Sequence, residues 1–139
     1  MAREVLVDTS GLYALADRAD PAHRAAERCV AELAGSGVGL VLTDYIVDEA
    51  CTLAKARAGG QAALQLLEII ERSEAFRWVW IGEQRFESAK AYFRKHADHE
   101  YSFTDCASFV VMRELRLRDA LTCDRHFVEA GFGALLAVW

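Results

Sequence analysis

The sequence predicts a three-layer α/β/α sandwich built on a five-stranded, mainly parallel sheet. Short apolar runs of strand length alternate along the chain with longer segments of helical periodicity. The runs are apolar at nearly every position, as expected for strands covered on both faces, and this favours parallel pairing. Because the chain has 139 residues, one proline and no low-complexity tract, we expect a single domain over residues 1–139.

Each strand is identified by an apolar run bounded by helix-start or turn residues. The run at residues 4–7 ends on Asp8 and leads into a helix to about Ala16. Asp20-Pro21 predicts an N-cap followed by proline at the first helical position, and that helix ends at Gly35-Ser36-Gly37. The remaining strands are predicted at residues 39–43, 77–81, 120–123 and 134–138.

Helices fill the intervals between the strands. Thr43 or Asp44 caps a helix that runs to about Arg57, and Gly59-Gly60 separates it from the next helix. The later helices are predicted at residues 83–97, with Phe86, Ala89 and Phe93 facing inward, from Ser102 onward, and as a turn at 124–130.

Four carboxylates are predicted to meet at one edge of the sheet. Asp8 and Asp124 each follow a strand directly, and parallel strands carry both residues to the same edge. Glu49 and Asp105 lie in the first turns of helices that begin at that edge. The carboxyl edge is where open α/β sheets bind ligands, so the cluster is a candidate site.

Each of these acids also has a structural alternative. Asp8 and Asp124 occupy N-cap positions, and Ser102-Phe103-Thr104-Asp105 matches a capping box. Glu49 would be favoured near the positive end of a helix dipole. Capping alone does not require four helix starts to gather in one place, so the shared edge favours a functional site.

Clustered carboxylates repel one another unless a cation neutralises them. Oxygen ligands select Mg²⁺ or Mn²⁺, and such a site suits phosphodiester hydrolysis. On this hypothesis Asp8 and Asp124 bind the metal directly, Asp105 binds it or orients the water, and Glu49 acts through the ligands or as a base. His126 could touch substrate or be an ordinary polar helix residue. Three neighbours are candidates to hydrogen-bond a carboxylate or phosphate: Thr9, Thr104 and Arg125.

Composition excludes several classes of protein. The net charge of −5 argues against a general nucleic-acid-coating protein, but it does not exclude a nuclease with a metal-filled acidic site. No apolar run reaches the length of a membrane span and the first ten residues lack a signal-peptide pattern. We therefore expect no membrane association and a cytoplasmic location. The cysteines have no zinc-type spacing.

Four segments together resemble a PIN domain of the VapC toxin type. They are Val7-Asp-Thr-Ser10, Thr43-Asp-Tyr-Ile-Val-Asp-Glu49, Tyr101-Ser-Phe-Thr-Asp-Cys-Ala-Ser-Phe109 and Ala120-Leu-Thr-Cys-Asp-Arg-His-Phe127. The resemblance assigns Asp8, Glu49, Asp105 and Asp124 to the family's acidic positions and Thr9 and Thr104 to its hydroxyl positions. It implies a Mg²⁺- or Mn²⁺-dependent endoribonuclease that acts on RNA and forms a homodimer. A small antitoxin protein that inserts a segment into the acidic groove would inhibit it.

Three other functions remain open at this point. PIN domains also act in RNA processing without being toxins. Aspartyl-phosphate chemistry would make Asp8 a nucleophile, but Ser10 stands where the dehalogenase-like pattern requires a second aspartate. A non-catalytic module could use the same acids to bind a basic partner, and a neutral substitution at Asp8 would then leave its function intact.

Overall fold

The structure is a computed structural model that describes residues 3–137. Its strands are β1 (Glu4–Val7), β2 (Gly39–Thr43), β3 (Phe76–Val79), β4 (Asp119–Leu121) and β5 (Gly133–Ala134). They form one parallel sheet in the order β3-β2-β1-β4-β5, which confirms the predicted fold class. β1 lies at the centre, where Leu6 is in register with Val41 of β2 and Ala120 of β4.

Seven helices connect the strands in the described part of the chain. The helices that follow β1 and β2 contact one another, and so do those that follow β3 and β4. Right-handed crossovers in a sheet of this order would place the two groups on opposite faces. The helices are α1 (Thr9–Ala16), α2 (His23–Gly35), α3 (Asp44–Ala58), α4 (Gly60–Arg72), α5 (Gly82–Lys95), α6 (Phe103–Glu114) and α7 (Arg125–Glu129). None of those within residues 3–137 is long and apolar enough to cross a membrane.

The core is centred on β1, whose Val5, Leu6 and Val7 are fully buried. Burial of both faces explains why this strand is apolar at successive positions rather than at alternate ones. α1 lies directly against β4, because a Cβ atom at Gly11 would stand 2.0 Å from the carbonyl oxygen of Leu121. Only glycine permits this approach, which brings the beginning of α1 close to the end of β4.

Three strand boundaries differ from the sequence predictions. The strands predicted at residues 77–81 and 120–123 begin and end earlier, as β3 and β4. The strand predicted at 134–138 is only Gly133–Ala134, and Val138 lies outside the described residues. The amides of Leu135 and Leu136 still donate to Ala120 O and Thr122 O, so the chain follows β4 while turning out of regular pairing. Apolar composition alone does not distinguish such a segment from a strand.

The prediction that Asp20 caps a helix beginning at Pro21 was wrong. α2 begins at His23, after an N-cap at Ala22. Asp20 instead closes a turn, because its Oδ1 accepts a hydrogen bond of 2.8 Å from the Ala22 amide. An aspartate before proline favours turn initiation as readily as capping, and here the turn wins.

The inward-facing set of α5 was also only partly correct. Ala89 is fully buried, whereas Phe86 and Phe93 are 38% and 42% exposed. Both rings flank Phe103 at the start of α6, with ring centroids 5.2 and 5.6 Å away. α5 is therefore buried most deeply at Ala89, whose small side chain allows close approach to α6. The two phenylalanines lie at the margin of the contact.

Candidate active site

An open cavity of about 450 Å³ lies at the carboxyl ends of β1, β2 and β4 and is strongly acidic. All four acids that the sequence analysis singled out line it. Two further acids lie on its wall, and its other charged or titratable side chains include Arg57 and His126. The six acids are Asp8, Asp20, Glu49, Glu100, Asp105 and Asp124.

Asp8 sits at the N-cap of α1, yet its side chain makes no capping hydrogen bond. Its Oδ2 instead accepts a hydrogen bond of 2.9 Å from the buried hydroxyl of Thr122. Burial raises the pKa of Asp8 to about 7, against the Thr122 hydrogen bond that lowers it, and the charges of Asp105 and Asp124 add to the rise. The buried Asp8 carboxyl group does not cap α1, and its negative charge is disfavoured at this position. Both properties suit a side chain that binds a cation.

Thr122 and Ser10 connect the ends of β1 and β4. Thr122 Oγ1 accepts from the Asp124 amide at 3.0 Å while it holds Asp8. Ser10 Oγ lies 3.1 Å from Thr122 Oγ1 and accepts from the Cys123 amide at 3.0 Å. These bonds fix the positions of the two strand-terminal aspartates relative to each other.

Glu49 reaches the cavity from α3 and is held from α1. Thr9 Oγ1 donates a hydrogen bond of 2.6 Å to Glu49 Oε1. Thr9 is buried, so the rotation of its hydroxyl is restricted and Glu49 is oriented by a fixed donor.

Asp105 does cap its helix, and it also faces the cavity. It forms a reciprocal capping box with Ser102: Asp105 N donates to Ser102 Oγ, and Ser102 N donates to Asp105 Oδ2, both at 3.0 Å. The same Oδ2 lies 3.1 Å from His126 Nδ1. Burial raises the pKa of Asp105 despite the opposing hydrogen bonds from Ser102 and His126, and the charge of Asp124 contributes to the rise. Capping and site formation are therefore compatible in one side chain.

Asp124 caps α7, because its Oδ1 accepts a 2.9 Å hydrogen bond from the His126 amide. The His126 ring turns back, with Nδ1 3.4 Å from Asp124 Oδ1. Partial burial lowers the pKa of His126, but the hydrogen bond to Asp105 and the charges of both aspartates outweigh it, so the net shift is upward. The imidazole thus bridges two carboxylates, as a small cation would.

This donor set fits a divalent cation. One atom each from Asp105, Asp124 and His126 lies within 4.8 Å of the others. Carboxylate oxygens suit Mg²⁺ and Mn²⁺, and an imidazole nitrogen is also accepted by Mn²⁺ and other transition metals. Asp8, predicted as a ligand, is not part of this close group but lines the same cavity.

Two predicted supporting residues do not line the cavity. Thr104 lies in the first turn of α6 and is not among the lining residues. The Arg125 side chain is 74% exposed and approaches Glu129 at 4.0 Å.

The sequence pattern did not identify Thr122 or Ser10 as site residues, and it did not distinguish a substrate contact from an ordinary helix residue at His126. Thr122 stands two residues before a strand-terminal aspartate, and Ser10 two residues after one. Small hydroxyl residues at such places are a signal that could have been used, because buried carboxylates require local donors.

The fold and the cavity together define a class of protein: a parallel α/β domain with an acidic pocket at the carboxyl ends of its central strands. The PIN domain family profile matches residues 5–133. The chain belongs to the PIN domain family.

Its relatives include the 23S rRNA-specific endonuclease VapC20 of Mycobacterium tuberculosis, which is 33% identical over 129 residues, covering 92% of this chain and 95% of VapC20. Ribonuclease VapC26 of the same organism is 32% identical over 126 residues, covering 91% and 90%. The crystal structure of VapC20, described as a sarcin-ricin loop cleaving toxin, superposes on this chain with a TM-score of 0.82 at 31% identity. The superposition covers 92% of this chain and 95% of VapC20. VapBC2 from Rickettsia felis shares the fold alone, with a TM-score of 0.69 at 7% identity over 94% of this chain and 96% of that one.

Proposed function

We propose that this chain is a divalent-metal-dependent endoribonuclease that hydrolyses RNA phosphodiester bonds and acts as the toxin of a toxin–antitoxin pair. The observation that carries the proposal is the convergence of Asp8, Glu49, Asp105 and Asp124 on one cavity. Its VapC relatives, which match over nine-tenths of the chain and are endonucleases or ribonucleases, support the same activity.

Asp105 and Asp124 would hold Mg²⁺ or Mn²⁺, with Asp8 or His126 completing the set. When bound, such an ion polarises the phosphate and makes a water molecule more acidic. The preformed hydrogen bonds of Asp8 to Thr122 and of Asp124 to the His126 amide fix both carboxylates before the ion arrives. Thr9, Ser102 and Thr122 would act as positioning residues, since each holds a carboxylate.

Glu49 is the candidate general base. It is oriented by Thr9 and lines the same cavity as the aspartates. In the proposed hydrolysis, Glu49 takes a proton from water while the water oxygen bonds to phosphorus and the ester bond breaks. The leaving oxygen keeps the electron pair of that bond and takes up a proton from solvent. Asp105 is an alternative acceptor, but it is proposed above as a metal ligand and its Oδ2 accepts from Ser102 N and lies 3.1 Å from His126 Nδ1. The role of Asp105 as a ligand favours Glu49 as the base.

The first RNA to test is the sarcin–ricin loop of 23S rRNA, because VapC20 is described as acting on it. The purified protein is incubated with total ribosomal RNA and with a sarcin–ricin hairpin in Mg²⁺, in Mn²⁺ and in EDTA. Discrete cuts that require metal and are absent with Asp8→Asn are expected. A folded protein that cuts no RNA with either metal would overturn the proposal.

The toxin assignment has its own test. Induced expression of the wild-type chain is expected to arrest bacterial growth, and Asp8→Asn is expected to permit it. Metal-dependent cleavage without growth arrest would instead indicate an RNA-processing PIN nuclease. We further expect a protein antitoxin and a homodimer as partners. Light scattering of the purified chain at several concentrations measures the second expectation.

A further inference from the structure

The acidic cavity is lined by a single arginine or lysine among the described residues. That residue is Arg57, in the last turn of α3. Six carboxylates share the cavity with it. An RNA chain that approaches the site meets a surface of its own charge, so binding requires positive charge at the points where phosphates pass. A bound metal supplies such a charge at the scissile phosphate but not at the phosphates on either side.

Arg57 is supported by an aromatic ring and lies near one acid, Asp17, whose pKa is lowered first by the Tyr13 hydrogen bond and also by the charge of Arg57. Its guanidinium carbon lies 5.1 Å from the centroid of the Tyr13 ring, a cation–π distance. Tyr13 is itself 5% exposed and its hydroxyl donates a 2.7 Å hydrogen bond to Asp17. The ring therefore provides a rigid support that sets where the guanidinium stands.

The N–H donors of Arg57 form no salt bridge in this arrangement. No carboxylate within residues 3–137 comes within 4.0 Å of them, although the cavity wall is rich in acids. Contact with an aromatic face leaves the edges of a guanidinium open, and its planar fork matches the oxygens of a phosphate. A supported guanidinium that forms no salt bridge within residues 3–137 and lies beside a candidate nuclease site is placed to bind an anion.

We propose that Arg57 binds an RNA phosphate next to the one that is cleaved, and that Tyr13 positions it for this contact. The inference rests on the proposed ribonuclease function and adds a substrate-binding residue outside the acidic cluster. Arg57 contributes to RNA affinity and to the register of the strand in the cavity, and it takes no part in proton transfer or metal binding.

The test measures binding of a fluorescein-labelled sarcin–ricin hairpin in Mg²⁺ by anisotropy, in an Asp8→Asn background that leaves the RNA intact. Arg57→Gln is compared with Lys55→Gln. Lys55 is the matched control because it removes the same charge from the same last turn of α3 without lining the cavity. Arg57→Lys keeps the charge and removes the fork.

Arg57→Gln is expected to weaken binding roughly tenfold, and to reduce the slope of log K against log salt by about 0.7–0.9, which is one phosphate contact. The affinity of Arg57→Lys should lie between those of Arg57→Gln and the Asp8→Asn background. The affinity of Lys55→Gln should stay within about twofold of the background, with its salt slope unchanged. In the cleavage-competent chain the effect of Arg57→Gln should appear in KM more than in kcat.

Equal affinities and slopes for Arg57→Gln and Lys55→Gln would overturn the role of Arg57 while leaving the nuclease intact. A fall in kcat with unchanged KM would also overturn it, because it would place Arg57 at the chemical step. If the wild-type chain cleaves no RNA, the proposed ribonuclease function is overturned. That result is distinct from the binding results above, which bear only on the role of Arg57.

Discussion

Thr9 Oγ1 and Glu49 Oε1 lie 2.6 Å apart, and this hydrogen bond joins the first residue of α1 to the second turn of α3. Charge-assisted bonds of this length are among the stronger ones in proteins. The bond selects one orientation of a carboxylate that could otherwise rotate in an open cavity. Thr9, which directly follows the strand-terminal Asp8, thus orients a second acid, Glu49, 40 residues away in the chain.

Thr9→Val keeps the shape of the side chain and removes the donor. We expect kcat for RNA cleavage to fall by roughly 10- to 100-fold, because Glu49 loses its orientation. Thr104→Val makes the same chemical change at the other predicted hydroxyl position, outside the cavity lining, and should retain most activity. Single-turnover cleavage of the two variants makes the comparison, and equal losses would contradict the role assigned to Thr9.

Asp8→Asn should stabilise the metal-free protein at high pH. The folded pKa of Asp8 is raised from 3.8 to about 7, so the folded state holds a proton that the unfolded state has released between these values. Stability from this group therefore declines as pH rises from about 4 to about 7, and the full penalty applies above that. Asparagine removes the penalty, up to about 4 kcal/mol at pH 8 and little at pH 4. Urea unfolding in EDTA at both pH values measures the difference in the free energy of unfolding between Asp8→Asn and the wild type.

Asp98→Asn is the control for this pH effect, because Asp98 is exposed and outside the cavity. Its stability should follow the wild type at both pH values. A gain for Asp8→Asn that is equal at pH 4 and pH 8 would mean that packing, not ionisation, is responsible.

Divalent metal should raise the melting temperature of the wild-type chain, and EDTA should reverse the rise. At a hundredfold excess of metal over its Kd the gain is about 3 kcal/mol. Asp124→Asn retains an oxygen that can cap α7 and loses the charge, so it should melt near the wild type in EDTA and gain much less from Mg²⁺ or Mn²⁺. Calorimetric scans with and without metal would detect the difference, and an undiminished gain would exclude Asp124 as a ligand.

Gly11→Ala should destabilise the fold by roughly 3 kcal/mol, because the new methyl would meet the Leu121 carbonyl of β4. Gly60→Ala is the matched control: a Cβ there meets nothing within 4 Å, and alanine favours the helix. Denaturant midpoints compare the two variants. A Gly11→Ala protein as stable as Gly60→Ala would show that α1 can move away from β4 freely.

The fold class could be predicted because the strands are buried on both faces and so read as uninterrupted apolar runs. Boundaries could not, since Thr122 and Leu136 are as buried as strand residues but lie where the chain leaves regular pairing. Hydrogen bonds between strands, rather than composition, decide where a strand ends. The helix start predicted at Asp20-Pro21 was wrong for a related reason, because an aspartate before proline permits both a helix N-cap and a turn.

The four acids could be placed at one edge because parallel topology determines which ends of strands and helices coincide. The partners of those acids could not be placed this way. Thr122 reaches Asp8 over 114 positions and His126 reaches Asp105 over 21. Contacts of that kind depend on side-chain rotamers and on the close approach of α1 to β4 at Gly11, which no local pattern encodes.

The bonds of Thr122 and Ser10 have a consequence for how the cavity assembles. Thr122 and Asp8 are 114 positions apart in the chain, and their side chains meet only where β4 pairs with β1. A partly folded chain in which β4 has separated from β1 therefore holds only half of the cavity.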